Sequence, residues 1–250
     1  MQNKLKLHGF NNLTKSLCFN IYDFCYAETE EEKKAFIAYI DERYNAERLA
    51  EILMDVAAMI KASVLSVSRQ DYDPQGASVT LLIAEEPIPE AVVAHLDKSH
   101  IAVHTYPECH PGSPVASFRA DIDVATCGEL TPLDTLGYLI GRFGAGIVIM
   151  DYKVRGFTRA SDGEKIYMDH DMRSVQDYID ASMLQKYRAE DVNLPRARIF
   201  HTKMLLKEIS PEKYLFGSDS RPSPQAQAME CLRREMEEIY HGKNGEKNLS

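Results

Sequence analysis

A short central segment concentrates the reactive side chains of this chain. Residues 98–128 read KSHIAVHTYPECHPGSPVASFRADIDVATCG, which places serine, three histidines, glutamate and two cysteines around two strand-like runs. A hydroxyl or a thiol becomes a nucleophile or a proton donor when an imidazole lies within hydrogen-bond reach of it. The segment therefore indicates nucleophilic or acid–base chemistry, provided that the fold brings these side chains together.

Strand alternation limits which of these side chains share a face. The strand-like run that follows Ser99 would point this serine to one face of a sheet and His104 to the other. Alternation alone therefore does not place Ser99 beside His104. Cys127 ends the second run and precedes a glycine, so we expect its thiol at a strand-to-turn junction, where it can reach a ligand.

The five cysteines carry no pairing signal. Their number is odd and no CxxC pair occurs, which fits neither a disulfide framework nor a zinc knuckle. We expect free thiols. Cys18, inside the apolar run LCFNIY, is interpreted as a small buried side chain rather than a reactive one.

The elements that must position these groups follow from hydrophobic periodicity and turn residues. In the first half the patterns predict a strand at 16–22, a helix at 28–61 broken near Asn45, hairpin strands at 64–69 and 77–83 around Asp73-Pro74-Gln75-Gly76, strands at 100–105 and 117–126, and a helix opened by Thr131-Pro132. In the second half they predict a strand at 147–155, a helix at 171–187, a strand at 198–207 and a last helix at 224–240. Helices and strands do not alternate strictly, so the pattern favours an α+β layered sandwich, with a mostly antiparallel sheet covered by helices on one face.

Composition and missing motifs exclude several classes of protein. With 29 basic and 38 acidic residues among 250, the net charge is −9, and no basic stripe for nucleic acid is evident. No apolar run reaches the roughly 20 residues of a membrane helix, and the first residues lack an export signal. P-loop, GxGxxG, GxSxG and HExxH motifs do not occur. We therefore expect a cytoplasmic protein whose partner is a small molecule or a protein, and neither nucleic acid nor a membrane.

Longer blocks of the chain resemble one known family. KLKLHGFNNLTKSL, RQDYDPQGASVT, AHLDKSHIAVHTYPE, FRADIDVATCG, DYKVRGFTR and FHTKMLLKE follow one another nearly from end to end. They resemble the proenzyme of bacterial S-adenosylmethionine decarboxylase in its long, pyruvoyl-dependent form. The shorter form shares only the central serine, the HT-aromatic-PE block and the TCG block, so the long amino-terminal start and the second half indicate the long form.

The resemblance implies that residues 1–250 form a single S-adenosylmethionine decarboxylase domain that cuts itself between Lys98 and Ser99. The Ser99 hydroxyl would attack the preceding carbonyl, and β-elimination of the resulting ester would leave a dehydroalanine that loses ammonia to become a pyruvoyl group. Serine suits both steps because it offers a nucleophilic oxygen and a leaving group on Cβ. The products would be a β chain of residues 1–98 and an α chain of residues 99–250 that carries its own cofactor.

The same resemblance assigns roles to three residues. His104 matches the proton acceptor in processing, and Cys127 matches the proton donor in catalysis. The substrate amine would form a Schiff base with the pyruvoyl group derived from Ser99, and loss of CO2 would leave a carbanion that Cys127 protonates. The implied reaction converts S-adenosylmethionine to S-adenosylmethioninamine and CO2, which makes the protein a carboxy-lyase that supplies the aminopropyl group for spermidine biosynthesis.

Substrate binding, metal and assembly are also implied by the resemblance. Glu108 would accept hydrogen bonds from the ribose hydroxyls, and Tyr72 would stack on adenine near the sulfonium. Magnesium is implied as an activator, and its ligands stay unassigned because the sequence shows no carboxylate cluster for it. Family members assemble from several αβ units, which implies a homo-oligomer.

Three other functions remain open. The same cleavage chemistry could serve arginine or ornithine, because it does not determine what lies beyond the reacting amine. A non-cleaving relative could bind a ligand or regulate an active partner, although such a relative would be expected to lose Ser99, His104 or Cys127. A cysteine hydrolase built on Cys127 and His104 would leave the Lys98-Ser99 block without a purpose.

Overall fold

The structure is a computed structural model and describes residues 6–85, 99–215 and 225–244. In these ranges the strands are β1 (Thr14–Tyr26), β2 (Ser63–Asp71), β3 (Ala77–Ala84), β4 (His100–Cys109), β5 (Val115–Cys127), β6 (Ile147–Arg155), β7 (Thr158–Arg159), β8 (Lys165–Ile166), β9 (Tyr187–Asp191) and β10 (Ile199–Leu206). The helices are α1 (Glu30–Tyr44), α2 (Ala46–Met59), α3 (Leu136–Phe143), α4 (Ala181–Leu184), α5 (Pro211–Tyr214) and α6 (Gln225–His241). None of the helices in the described ranges is long and apolar enough to cross a membrane.

Eight of the described strands form one sheet in the order β2-β3-β4-β5-β1-β6-β10-β9, and β7 pairs with β8 in a separate hairpin. Every neighbouring pair in the large sheet is antiparallel. The long strand β1 lies between β5 and β6, so strands from both halves of the chain share one sheet. The α+β fold with an antiparallel sheet, predicted from the sequence, is confirmed.

Alternation along the strands gives the sheet two different faces. On β1, Leu17, Phe19 and Ile21 are fully buried, and because side chains alternate, Cys18 and Asn20 point to the opposite side. Helices α1, α2 and α3 pack on the first side, which we call the covered face. The side that carries Cys18 and Asn20 we call the open face. Burial of apolar side chains under the helices, at about 25 cal/mol per Å², is the main stabilising contribution.

The break between α1 and α2 falls at Asn45, as the sequence predicts. Thr29 begins α1 with a capping box, in which its hydroxyl accepts from the Glu32 N–H and the Glu32 carboxylate accepts from the Thr29 N–H. Asn45 ends α1, and its side-chain oxygen accepts from the Arg48 N–H to begin α2. A single extended residue therefore turns the chain and lets both helices pack on the covered face.

Helix α6 lies on the other side of the sheet. Its buried residues Leu232 and Met236 join Phe24, Ile147 and Leu205 in a second, smaller core. These strand residues lie where β1 ends and β6 begins, so α6 covers one end of the open face and leaves the other end uncovered by it. The predicted cover on one face holds for α1, α2 and α3, and α6 adds cover at one end of the opposite face.

The helix predicted at 171–187 does not form. The segment contains a 3-10 turn at Val175–Tyr178 and the short helix α4, after which Tyr187 begins strand β9. Backbone N–H groups of the turn donate to the side chains of Ser174 and Asp177, which fixes this short turn. Strand β9 pairs with β10 at the edge of the sheet. Long-range pairing therefore overrides the helical periodicity of the sequence.

The position predicted for Cys18 is also wrong. Its side chain is half-buried on the open face instead of lying in the core. Burial, and then the hydrogen bond with Asp123, raise the pKa of the Cys18 thiol to about 12. At neutral pH this thiol is protonated and poorly nucleophilic.

We expect Leu232→Ala to destabilise the protein by about 2–5 kcal/mol, because it empties a fully buried site between α6 and the sheet. The neighbouring residue Arg233 is exposed on the same helix, and Arg233→Ala is the matched control, expected within about 0.5 kcal/mol of the unmodified chain. Urea unfolding followed by circular dichroism measures both. Equal stability of the two variants would show that α6 does not contribute to the folded core.

Candidate active site

Ser99 and Cys127 lie in direct contact at one end of the sheet. Ser99 immediately precedes β4 and is only 3% exposed. Its Oγ lies 3.2 Å from the Sγ of Cys127, and its carbonyl oxygen accepts a hydrogen bond from the Ile83 N–H at 3.3 Å. Both the side chain and the carbonyl of Ser99 are therefore fixed. Lys98, on the other side of the expected cleavage point, lies outside the described residues.

The register of two neighbouring strands brings these residues together. His100 at the start of β4 pairs with Ala125 near the end of β5. Antiparallel pairing therefore places the residue before β4 next to the last residue of β5. The predicted position of Cys127 at a strand-to-turn junction agrees with its place in the structure, since β5 ends at this residue.

Gly128 makes the tight turn that follows Cys127. Its φ is +71°, a left-handed conformation that strains any residue with a Cβ. A Cβ at this position would also collide with the carboxylate of Glu85. That carboxylate accepts a hydrogen bond from the Glu129 N–H at 2.7 Å. The backbone conformation therefore favours glycine, and a Cβ here would also have to displace the Glu85 carboxylate that holds the turn.

A buried lysine holds the turn from the covered face. Lys15 is 1% exposed, and its Nζ lies 3.0 Å from the carbonyl oxygen of Gly128 and 3.3 Å from that of Leu130. The same Nζ lies 2.7 Å from Oδ2 of Asp169. The side-chain amide of Asn11 donates to both Gly128 and Asp169, at 3.1 Å each. An ammonium without these partners would be very costly to bury, because removing one partner of a buried pair costs about 3–5 kcal/mol.

Asp169 is ionised because its partners outweigh its burial. Burial alone would raise the pKa of Asp169, but the hydrogen bonds from His170, Lys15 and Asn11, together with the charge of Lys15, hold this pKa well below its usual range. Nδ1 of His170 lies 2.7 Å from Oδ1 of Asp169, and Nε2 of the same ring lies 3.2 Å from the hydroxyl of Tyr152. A continuous polar chain therefore runs from Tyr152 to the turn after Cys127.

His104 lies away from Ser99 in the same chain. It is exposed on the open face of β4, where it pairs with Ser78 of β3 and Asp121 of β5. Five residues along a strand correspond to roughly 16 Å at about 3.3 Å per residue. The structure thus agrees with the alternation argument from the sequence, and within one chain it does not bring His104 to the Ser99 hydroxyl.

The two proposed substrate contacts lie closer to His104 than to Ser99 along the sheet. Tyr72 is at the tip of the β2–β3 hairpin, and its hydroxyl lies 2.8 Å from the Oγ of Ser78, the residue that pairs with His104. Glu108 is exposed near the far end of β4, with the Ser117 hydroxyl 3.5 Å from its carboxylate. One chain therefore presents two separate groups of candidate residues, Ser99 with Cys127 and Tyr72 with His104.

Sequence reasoning missed the residues that hold the turn. Lys15 did carry a signal, because it shares the inward periodicity of Leu17, Phe19 and Ile21, and a lysine at an inward position needs a partner. Asp169 carried none, since it lies in an irregular segment whose position depends on the rest of the fold.

The described residues offer no cluster of ligating side chains to which the magnesium implied by the resemblance can be assigned. Among residues 6–85, 99–215 and 225–244, no group of three or more histidine, cysteine, aspartate or glutamate side chains is placed to hold a metal. We therefore derive no catalytic step through magnesium.

Comparisons with known proteins place the chain in a family. A family model described as S-adenosylmethionine decarboxylase matches residues 40–156. A protein of Clostridium botulinum (strain Eklund 17B / Type B) named S-adenosylmethionine decarboxylase proenzyme is 53% identical over 266 aligned residues, covering 98% of this chain and 98% of that protein. A proenzyme of the same name from Hahella chejuensis (strain KCTC 2396) is 54% identical over 261 residues, covering 98% of this chain and 99% of that protein. A crystal structure of the adenosylmethionine decarboxylase from Aquifex aeolicus VF5 gives a TM-score of 0.36 at 16% identity, covering 65% of this chain and 99% of that chain.

The fold is α+β, and a buried serine lies against a thiol. The relatives of the chain are named decarboxylase proenzymes. Together these findings define the class of protein as a carboxy-lyase. The chain belongs to the S-adenosylmethionine decarboxylase family, because the bacterial relatives match it over almost their whole length at more than half identity.

We expect Gly128→Ala to destabilise the uncut Ser99→Ala chain, because the new Cβ meets both the positive φ and the Glu85 carboxylate. In a Glu85→Ala background the same substitution should cost only the backbone strain, about 1–2 kcal/mol. Urea unfolding of the four combinations gives the coupling between the two positions. An identical cost of Gly128→Ala in both backgrounds would contradict the contact between Glu85 and the turn.

Proposed function

We propose that this chain decarboxylates S-adenosylmethionine to S-adenosylmethioninamine and CO2, in the cytoplasm, and so supplies the aminopropyl group for spermidine biosynthesis. The cofactor is a pyruvoyl group that the chain makes from Ser99 by cutting the bond after Lys98, which leaves a β chain of 1–98 and an α chain of 99–250. The observation that carries the proposal is the contact of 3.2 Å between the Oγ of the buried Ser99 and the Sγ of the half-buried Cys127, in a chain related end to end to named proenzymes.

The contacts of Ser99 suit the two steps of self-cleavage. Attack of its Oγ on the preceding carbonyl moves the acyl group from nitrogen to oxygen. Loss of the Cα proton then breaks the Cβ–O bond and releases residue 98 as a carboxylate. Negative charge develops on the Ser99 carbonyl oxygen as that proton leaves. The Ile83 N–H already donates to this oxygen at 3.3 Å, so a donor is in place where the charge appears.

The surroundings of Ser99 also fit a pyruvoyl group. Ser99 is buried, its carbonyl is held by β3, and its side chain faces a thiol, so a three-carbon group at this position is enclosed on these sides. The pyruvoyl group would accept the electron pair of the bond that releases CO2. Cys127 is half-buried beside it and would deliver a proton to the substrate carbon that lost CO2.

We propose further that the enzyme is a homo-oligomer in which His104 serves a second chain. His104 lies on the open face, roughly 16 Å along β4 from Ser99, and Tyr72 lies beside it through its contact with Ser78. Ser16, Asp123 and Ser78 lie on the open face outside the end that α6 covers, so this part of the face carries polar side chains. Two such faces packed together would bring the histidine of one copy to the serine of the other, and Glu108 and Tyr72 to the same substrate.

Intact mass of the purified protein tests cleavage and substrate together. Incubation with S-adenosylmethionine and cyanoborohydride should give two fragments split after residue 98, with the larger one blocked at its amino terminus and carrying substrate-derived mass. Ser99→Ala should stay uncut. Fragments that take up arginine or ornithine but not S-adenosylmethionine would assign an amino-acid decarboxylase, and an unmodified chain that stays uncut would favour a ligand-binding or regulatory protein.

Co-expression of two inactive variants tests the shared site. In a mixed oligomer of Ser99→Ala and His104→Ala chains, the His104→Ala chain keeps Ser99 and receives a histidine from its neighbour. Fragments with the mass of the His104→Ala α chain should therefore appear, whereas the same chain co-expressed with a Ser99→Ala/His104→Ala double variant should stay uncut. Failure of cleavage in mixed oligomers, with the variants still assembling, would place His104 in the site of its own chain or outside it.

A further inference from the structure

We infer that Lys15, held by Asp169, is a positioning residue for Cys127 that directs its proton to the substrate carbon and away from the pyruvoyl carbon. This inference rests on the role proposed above for Cys127. The Lys15 side chain is buried on the covered face of the sheet, so it would act through the turn without touching the substrate.

Lys15 binds the turn after Cys127 at two backbone carbonyls. Its Nζ donates to the carbonyls of Gly128 and Leu130, at 3.0 and 3.3 Å. The hydroxyl of Thr126 donates to the same Leu130 carbonyl at 3.1 Å. Residues on both sides of Cys127 are therefore tied to one cluster, and the thiol cannot shift along its strand without breaking these bonds.

All three N–H donors of the Lys15 ammonium have acceptors in the structure. An ammonium has three donors, and Gly128, Leu130 and Asp169 supply three acceptors. Asp169 is held in turn by Asn11 and His170. Lys15 therefore has no alternative partner within this cluster to which its Nζ could move, which makes it a rigid support for the turn.

A second buried lysine allows positioning to be distinguished from ordinary stabilisation. Lys33 is another buried lysine, and its Nζ donates to the carbonyls of His110 and Pro111, at 3.1 and 3.4 Å, while it pairs with Glu30. The two lysines thus hold two turns by the same kind of contact. Only the turn held by Lys15 follows a residue that touches Ser99, so only Lys15 should affect where a proton is delivered.

The consequence of a displaced thiol is a distinct chemical product. After loss of CO2, a proton that reaches the pyruvoyl carbon in place of the substrate carbon leads, with uptake of one water, to alanine at the amino terminus of the α chain. The substrate carbon that carried the amine leaves as an aldehyde. The nitrogen stays on the protein, so each such event removes one cofactor and changes the mass of the α chain.

The experiment compares Lys15→Met, Lys15→Arg and the matched control Lys33→Met in the cleaved enzyme. The readout is the fraction of α chain that carries alanine at its amino terminus, measured by mass spectrometry and divided by the CO2 released. This ratio does not depend on how much enzyme is folded. We expect Lys15→Met to raise this ratio on the order of tenfold or more. Lys15→Arg, which keeps the charge, should raise the ratio less than Lys15→Met. Lys33→Met should leave the ratio unchanged even if the stability of the protein falls.

If Lys15→Met fails to fold or cleave, Asp169→Asn provides the second variant, because it keeps the lysine and the shape of the site while removing the charge that holds it. An unchanged ratio in a cleaved Lys15 or Asp169 variant overturns the inference. Cys127→Ser distinguishes this result from failure of the proposed function. If Cys127→Ser raises the alanine fraction and the Lys15 variants do not, only the positioning role is wrong; if Cys127→Ser has no effect, the role proposed for Cys127 is wrong.

Discussion

The register of β1 against β5 is the constraint on which the rest of the structure depends. Thr14 pairs with Cys127 and Tyr26 with Val115, and the ladder between these pairs is continuous. A slip of one residue would turn every side chain of β1 to the other face. Lys15 would then point to the open face and lose the turn, while Cys18 and Asn20 would enter the apolar core. The hydrophobic pattern of β1 therefore fixes the polar contact between Lys15 and the turn that follows Cys127.

The two ends of the sheet are covered by different structures. At the end where β6 begins, α6 closes the open face with an apolar core. At the end where β5 stops, the covered face receives a buried charge cluster, and the reactive pair lies beside it. The family model matches residues 40–156, which includes the reactive pair but neither Lys15 nor Asp169. The contacts that hold the turn after Cys127 thus come from both flanks of the matched region.

Local signals in the sequence were sufficient for most elements and insufficient for the site. The turn residues around Pro74 and the helix break near Asn45 each depend on a few neighbouring residues, and these predictions agree with the structure. The apolar run at 16–22 predicted a buried strand, and the strand forms, but its side chains alternate between the two faces. The helix predicted at 171–187 failed because β9 takes its hydrogen bonds from β10, a partner that periodicity cannot reveal. For the same reason Asp169 could not be found, since nothing near it in sequence indicates the distant lysine that it holds.

Self-cleavage places an unusual demand on this sheet, because it would remove the covalent link between β3 and β4. With the proposed cut, β1, β2 and β3 belong to one chain and the remaining strands to the other. Strand β1 nevertheless lies between β5 and β6, with hydrogen bonds to both. The ion pair between Lys15 and Asp169 also joins the two chains. Separation of the chains would break the β1–β5, β1–β6 and β3–β4 ladders and expose a buried charge, so we expect the cut chain to keep the fold of the uncut one. After the proposed cut, the contacts of β1 and Lys15 with the other chain would therefore also keep the new amino terminus beside the thiol of Cys127.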